Sequence, residues 1–195
     1  MKNKIYLQKI GDIEITVLLR LQECVKASFK EFIKKVEILP DTMPLKKTTY
    51  NSNRRKYNAS LILQILKKKA RKETYFRVLG VIDKDIYWGN FKFAFGRAIK
   101  PRESNKKSSF VALISLTRLC EDFYRRPTNN ALFEVRTRKE AIHELGHTFG
   151  LDHCENYCVM KLSNNLVDTD QKSEGFCPKC IEQLRDFFSN QRNGV

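Results

Sequence analysis

AIHELGHTFGLDHCENYCVM, residues 141–160, holds all three histidines of the 195-residue chain and two of its six cysteines. On a helix, positions four apart differ by about 40° in azimuth, so His143 and His147 project from one face a turn apart. Two imidazoles at that separation reach one tetrahedral zinc at about 2.0–2.1 Å each. Glu144 stands about 100° round from His143, within reach of a zinc-bound water without ligating the metal. Gly150 follows the last apolar helical residue and is placed to adopt the left-handed conformation that ends a helix. The turn brings His153 to the same metal. Three histidines leave a fourth position open, the arrangement of a catalytic rather than a structural zinc. Zinc lowers the pKa of water held there to about 7, and Glu144 would take its proton as general base. Gly146 costs the helix about 1 kcal/mol against alanine, so it marks a close backbone contact.

Cysteine usage extends the pattern. Cys24 and Cys120 stand alone in apolar segments and read as small buried hydrophobes. Cys154 and Cys158 (C-x3-C) and Cys177 and Cys180 (C-x2-C) form two close pairs with the spacing of a structural four-cysteine zinc site. The first residues, MKNKIYLQKIGDIEI, carry no continuous apolar segment of a secretory signal. A reduced compartment is therefore expected, which favours metal over disulfides or free thiols.

The remaining composition narrows the class. A chain 42% hydrophobic and 30% charged reads as globular, and its length suits one domain over residues 1–195. The apolar runs at 15–19 and 110–116 are too short to span a membrane. The expected protein is soluble, cytoplasmic and monomeric. Lys and Arg total 37 against 22 Asp and Glu, for a net charge of +15. Residues 44–77 concentrate that excess, with eleven basic side chains against the single acid Glu73. Such a face attracts nucleic acid or acidic partners at low salt.

Apolar patterning predicts strands at 4–8 and 13–21 about a turn at Gly11 and Asp12, then a helix over 22–36. Residues 48–58 read as polar loop. Ser60 is placed to cap a helix over 61–71 with Leu61, Ile65 and Leu66 inward. Strands are predicted at 75–83, within 85–98 and at 110–119. Helices are predicted from Thr137 to Phe149 and over 178–188, with loop at 161–176 between them. The result is one mixed α/β domain.

HELGHTFGLDH (143–153) matches the metzincin pattern HExxHxxGxxH, and CVM with CPKC (177–180) narrows the likeness. The chain resembles the archaemetzincins, through TTYNSNRRKYNAS, RVLGVIDKDIYW, NFKFAFGRA, ALISLTRL and KLSNNLVDTDQKSEGFC as well. The resemblance implies an α+β metzincin-type fold: a twisted mixed sheet, a backing helix, an active-site helix, and a C-terminal helix held by a four-cysteine zinc. It implies Met160 as the Met-turn residue beneath a catalytic zinc, and Cys154, Cys158, Cys177 and Cys180 on a second zinc. A peptide substrate would add to an edge strand within 91–98. The chain departs from the family pattern by one residue in each of two spacings: three residues separate Cys154 and Cys158, and sixteen separate Met160 from Cys177.

The expected protein is thus a zinc metallopeptidase, an aminopeptidase or endopeptidase, holding two zinc ions and acting on peptide or protein. The alternative is a basic zinc-containing protein that binds nucleic acid or an acidic partner, its three-histidine zinc vestigial. Glu144, which a pure zinc scaffold does not need, favours the peptidase. No residue identifies itself as oxyanion stabiliser; Tyr124 and Tyr157 are candidates by type alone.

Overall fold

RVLGVI at 77–82 is buried at every residue, as a strand packed on both faces must be. This strand, β5 (Arg77–Ile82), is the middle of a five-stranded sheet in a computed structural model that describes residues 3–101 and 110–192. Its neighbours are β1 (Lys4–Ile10), β2 (Lys35–Ile38), β7 (Gly96–Ala98) and β8 (Phe110–Ser115), in the order β2-β1-β5-β8-β7. Four strands run parallel; β7, at one edge, is antiparallel to β8. A small sheet is built from β3 (Tyr50–Asn51), β4 (Lys56–Asn58) and β6 (Ile86–Tyr87). The helices are α1 (Ile15–Ser28), α2 (Ala59–Lys72), α3 (Asn130–Thr148), α4 (Leu166–Gln171) and α5 (Pro178–Arg192).

Alternation along the strands divides the core. Ile5, Leu7, Leu79, Val81, Ala112 and Ile114 face one side, where α1, α3 and α5 pack. Tyr6, Ile10, Val78, Ile82, Val111 and Leu113 face the other, covered by α2 through Ile62, Leu63, Leu66 and Ala70. Consecutive residues on opposite faces follow from the two-residue period of a strand.

Several elements differ from their sequence reading. Residues 13–21 belong mostly to helix α1, not to a strand. Leu18, Leu21 and Val25 are buried at helical spacing while Ile15 and Leu19 stay exposed, so an amphipathic stripe overrides β-branched propensity. That helix ends at Ser28, and Val36 lies in β2. Asn58, not Ser60, caps α2: its Oδ1 accepts from the Ser60 and Leu61 N–H groups at 3.0 and 3.4 Å. Ile62 and Leu63 take the inward places, and Leu61 is exposed. The 48–58 stretch contains the β3–β4 hairpin. Only Gly96–Ala98 of 85–98 joins the main sheet, and Phe91 is exposed.

The helix bearing the histidines starts at Asn130, where the Asn129 side chain accepts from Leu132 N–H, rather than at Thr137. Its first turns are largely solvent-facing and leave little apolar signal. Its last ten residues, from Lys139 to Thr148, are all buried, whereas only two of the preceding nine are. Within 161–176, Asn165 caps the short helix α4, which buries Leu166 and Thr169. Among the described residues no helix is long and apolar enough to cross a membrane.

Candidate functional site

The last two turns of α3 bring His143 and His147 together, with ring centroids 4.6 Å apart. Gly150, at φ +95°, turns the chain, and His153 comes back to 5.4 Å from the His143 ring and 5.0 Å from that of His147. Candidate ligand atoms of the three histidines all lie within 4.8 Å of one another. His143 Nδ1 donates to the Val159 carbonyl at 2.9 Å, and His147 Nδ1 to the Leu151 carbonyl at 2.7 Å. A carbonyl only accepts, so both protons sit on Nδ1 and both Nε2 atoms carry lone pairs.

Those two Nε2 atoms face each other at 3.1 Å. Burial pushes the basicity of His143 and His147 far down, aided by the positive charge of Lys172 near His143. Burial and Lys100 lower His153 as well. Converging neutral lone pairs repel unless a cation lies between them. Tetrahedral zinc with nitrogen ligands sets them roughly 3.3 Å apart. The donor set fits the metal.

Glu144 lies against the edge strand. A Cβ built on Gly96 of β7 would fall 2.5 Å from Glu144 Cγ, so only glycine admits this approach. Burial, followed by repulsion from Glu140, raises the Glu144 carboxyl to about 8. Its Oε2 is buried with no hydrogen-bond partner among the described residues. Met160 is fully buried, and a Cβ on Gly146, the residue before His147, would meet its Sδ at 2.5 Å. The close contact expected at Gly146 is therefore with the sulfur of Met160.

The cysteines form a second cluster immediately beyond. Cys154 and Cys177 sulfurs lie 3.7 Å apart, and those of Cys158 and Cys180 3.6 Å. A disulfide requires about 2.05 Å. Tetrahedral zinc with sulfur at about 2.3 Å requires edges of roughly 3.8 Å, so this set also fits. The N–H groups of Met160 and Cys177 point at Cys158 Sγ, at 3.4 and 3.3 Å. Burial opposes ionisation of Cys177, yet hydrogen bonds led by Asn156 outweigh it and bring the thiol to about 6. Cys24 and Cys120 stand outside the cluster, each half-buried rather than buried.

A cleft of about 350 Å³ opens over the histidines. Phe93, Phe95, Gly96 and Arg97 line one side and Leu162 and Ser163 the other. Neither tyrosine weighed as oxyanion stabiliser borders it. Tyr124 donates its hydroxyl to the Arg118 carbonyl, and Tyr157 stands in solvent. Nothing in the sequence signals the ion pair between Glu140 and Lys172, 2.7 Å apart and nearly inaccessible, one turn before His143. Nor does it point to Arg136, which bridges Glu121 and Asp170 behind the helix. Buried charges at these positions leave no local motif, because their partners are 15 to 34 residues away.

Comparison with known proteins agrees with this geometry. Residues 8–186 match the model of Peptidase family M54. The archaemetzincin of Methanocaldococcus jannaschii is 40% identical over 94% of this chain and 93% of its own length. The crystal structure of the archaemetzincin from Methanopyrus kandleri superposes with a TM-score of 0.76 at 32% identity, covering 96% of each chain. That of a zinc-dependent peptidase from Methanocorpusculum labreanum gives 0.79 at 28%, covering 92% of this chain and 99% of its own. Since the match runs through the sheet, the histidine helix and the cysteine pairs together, the chain belongs to Peptidase family M54, the archaemetzincin family of zinc metallopeptidases.

Proposed function

We propose that residues 1–195 act as one peptidase unit in which His143, His147 and His153 hold a catalytic zinc, Glu144 is the general base, and Cys154, Cys158, Cys177 and Cys180 hold a second, structural zinc. The observation that carries this reading is Glu144: a buried carboxyl beside three converging imidazole nitrogens, with Oε2 unpartnered among the described residues. A scaffold has no use for that atom, and its desolvation is costly. Bound zinc would supply Lewis acidity, polarising the scissile carbonyl and acidifying water.

The protein's own part is proton transfer and alignment. A peptide laid along the outer edge of β7, which pairs with no other strand among the described residues, would gain main-chain hydrogen bonds and bring its carbonyl over the histidines. Water against Glu144 Oε2 loses a proton to it while the oxygen bonds to the carbonyl carbon. The C–N bond then breaks as Glu144 returns that proton to the leaving amine nitrogen. Burial raises the proton affinity of the Glu144 carboxyl, which favours its taking a proton from water once a bound cation holds it ionised.

The test is cleavage of a diverse peptide library by zinc-loaded wild type and by Glu144→Gln. Wild type is expected to cleave and the variant to lose at least about 100-fold in rate while keeping its zinc. Equal rates would refute the assignment. Terminal or internal cleavage, read by mass spectrometry, separates aminopeptidase from endopeptidase.

A further inference from the structure

From the charge lining the cleft, we infer that Arg97 is a specificity-determining residue that binds a substrate carboxylate, making acidic peptides the preferred class. The inference rests on the peptidase reading for the word substrate, and on the cleft alone for the carboxylate.

Arg97 follows Gly96 on the edge strand. Gly96 faces Glu144, so Arg97 stands on the opposite face of β7, in register with Leu113. There its guanidinium lies 3.7 Å from the centre of the Trp88 ring, which is itself stacked on Phe91. Contact with the ring restrains the guanidinium, a group whose N–H fork matches a carboxylate. Arg97 makes no hydrogen bond or ion pair with any described residue, whereas Arg118, Arg136 and Arg185 each form a forked pair with a carboxylate. Lys92, on the same rim, also pairs with no described acid.

Neither of the two carboxylates that line the cleft forms an ion pair with Arg97. Glu140 is tied to Lys172 at 2.7 Å, and Glu144 lies against Gly96 on the other face of β7 without a hydrogen bond or ion pair to Arg97. The cleft therefore offers an incoming peptide one cation held against Trp88 and a second, exposed one. A strand paired with β7 places alternate side chains on the Trp88 face, so an Asp or Glu beside the scissile residue meets Arg97. A basic side chain there would meet repulsion instead.

The single tryptophan of the chain reports on this site directly. Zinc-loaded Glu144→Gln, with and without Arg97→Gln, is titrated with peptide pairs that differ by Glu against Gln at each position, following Trp88 fluorescence. At one position the Glu peptide is expected to bind about 10- to 100-fold more tightly, as for a charge-assisted hydrogen-bond pair. Arg97→Gln should bring that ratio near one. A ratio near one in the Arg97 protein, or a preference that survives Arg97→Gln, overturns the assignment. Turnover is measured separately. Arg97-dependent binding with no cleavage by wild type would defeat the peptidase reading and leave the carboxylate site standing. Cleavage without acidic preference would do the reverse.

Discussion

Glycine at two positions sets the distances within the site. At Gly96 the obstacle to a side chain is Glu144 itself, whose Cγ lies 2.5 Å from the place an added Cβ would take. Gly96→Ala should push the carboxyl out of line and lower kcat by roughly 100-fold, since misplacement by about 1 Å costs that much. Zinc content measured on the same sample should be unchanged. At Gly146 the obstacle is Met160 Sδ. Gly146→Ala gains about 1 kcal/mol of helix propensity and loses about 1–3 to overpacking. A net loss of about 1 kcal/mol is expected in denaturant unfolding. His143, His147, His153 and the cysteines were legible in the sequence because their spacing is short and chemically specific. Arg97 was not, because its meaning lies in Trp88 nine positions earlier and in the acids that fail to reach it.

At the level of elements, α3 is bound to α4 and to the residue that follows it by buried charge. Lys172 with Glu140 and Arg136 with Glu121 and Asp170 connect the histidine helix to its surroundings. Lys172→Met leaves Glu140 buried and unpaired, and a loss of about 3–5 kcal/mol is expected. Adding Glu140→Leu should recover most of it, because an apolar pair of similar volume avoids the desolvation of both charges. Urea unfolding of the two variants checks this, and no recovery would locate the loss in packing. The buried strands at 77–82 and 110–115 were legible, since short, mostly apolar runs with β-branched residues have few other uses. Helix α1 was not: alternation at Ile13, Ile15 and Val17 imitates a strand, and only burial of Leu18, Leu21 and Val25 decides the period.

Across the whole molecule, structure reduces the basic excess of residues 44–77. Lys56 pairs with Asp85, Lys69 with Asp41, and Arg54 lies over the Tyr87 ring, so the stretch is less of a continuous cationic stripe than its sequence suggests. Arg185 of α5 is joined to Glu31, just past α1. The hydrogen bond from Arg185 holds the Glu31 carboxyl below its usual value. The pair's contribution is therefore present above the unfolded-state value and lost as pH falls through the lower folded one. Glu31→Gln should remove that part of the acid limb in thermal unfolding followed from pH 7 to 3.

His153 and Cys154 are adjacent, and the Val159 carbonyl that orients His143 lies between Cys158 and Met160. An ion held by the four sulfurs would also hold the backbone that aims the imidazole. Under the proposed two-zinc assignment the centres are thermodynamically linked: filling either raises the affinity of the other by the same factor. Cys158→Ser should lower zinc from two to one per chain and weaken retention of the remaining ion against a chelator. It should also speed hydrogen exchange along α5. Metal loading is then cooperative, and partly loaded chains are rarer than two independent sites would give.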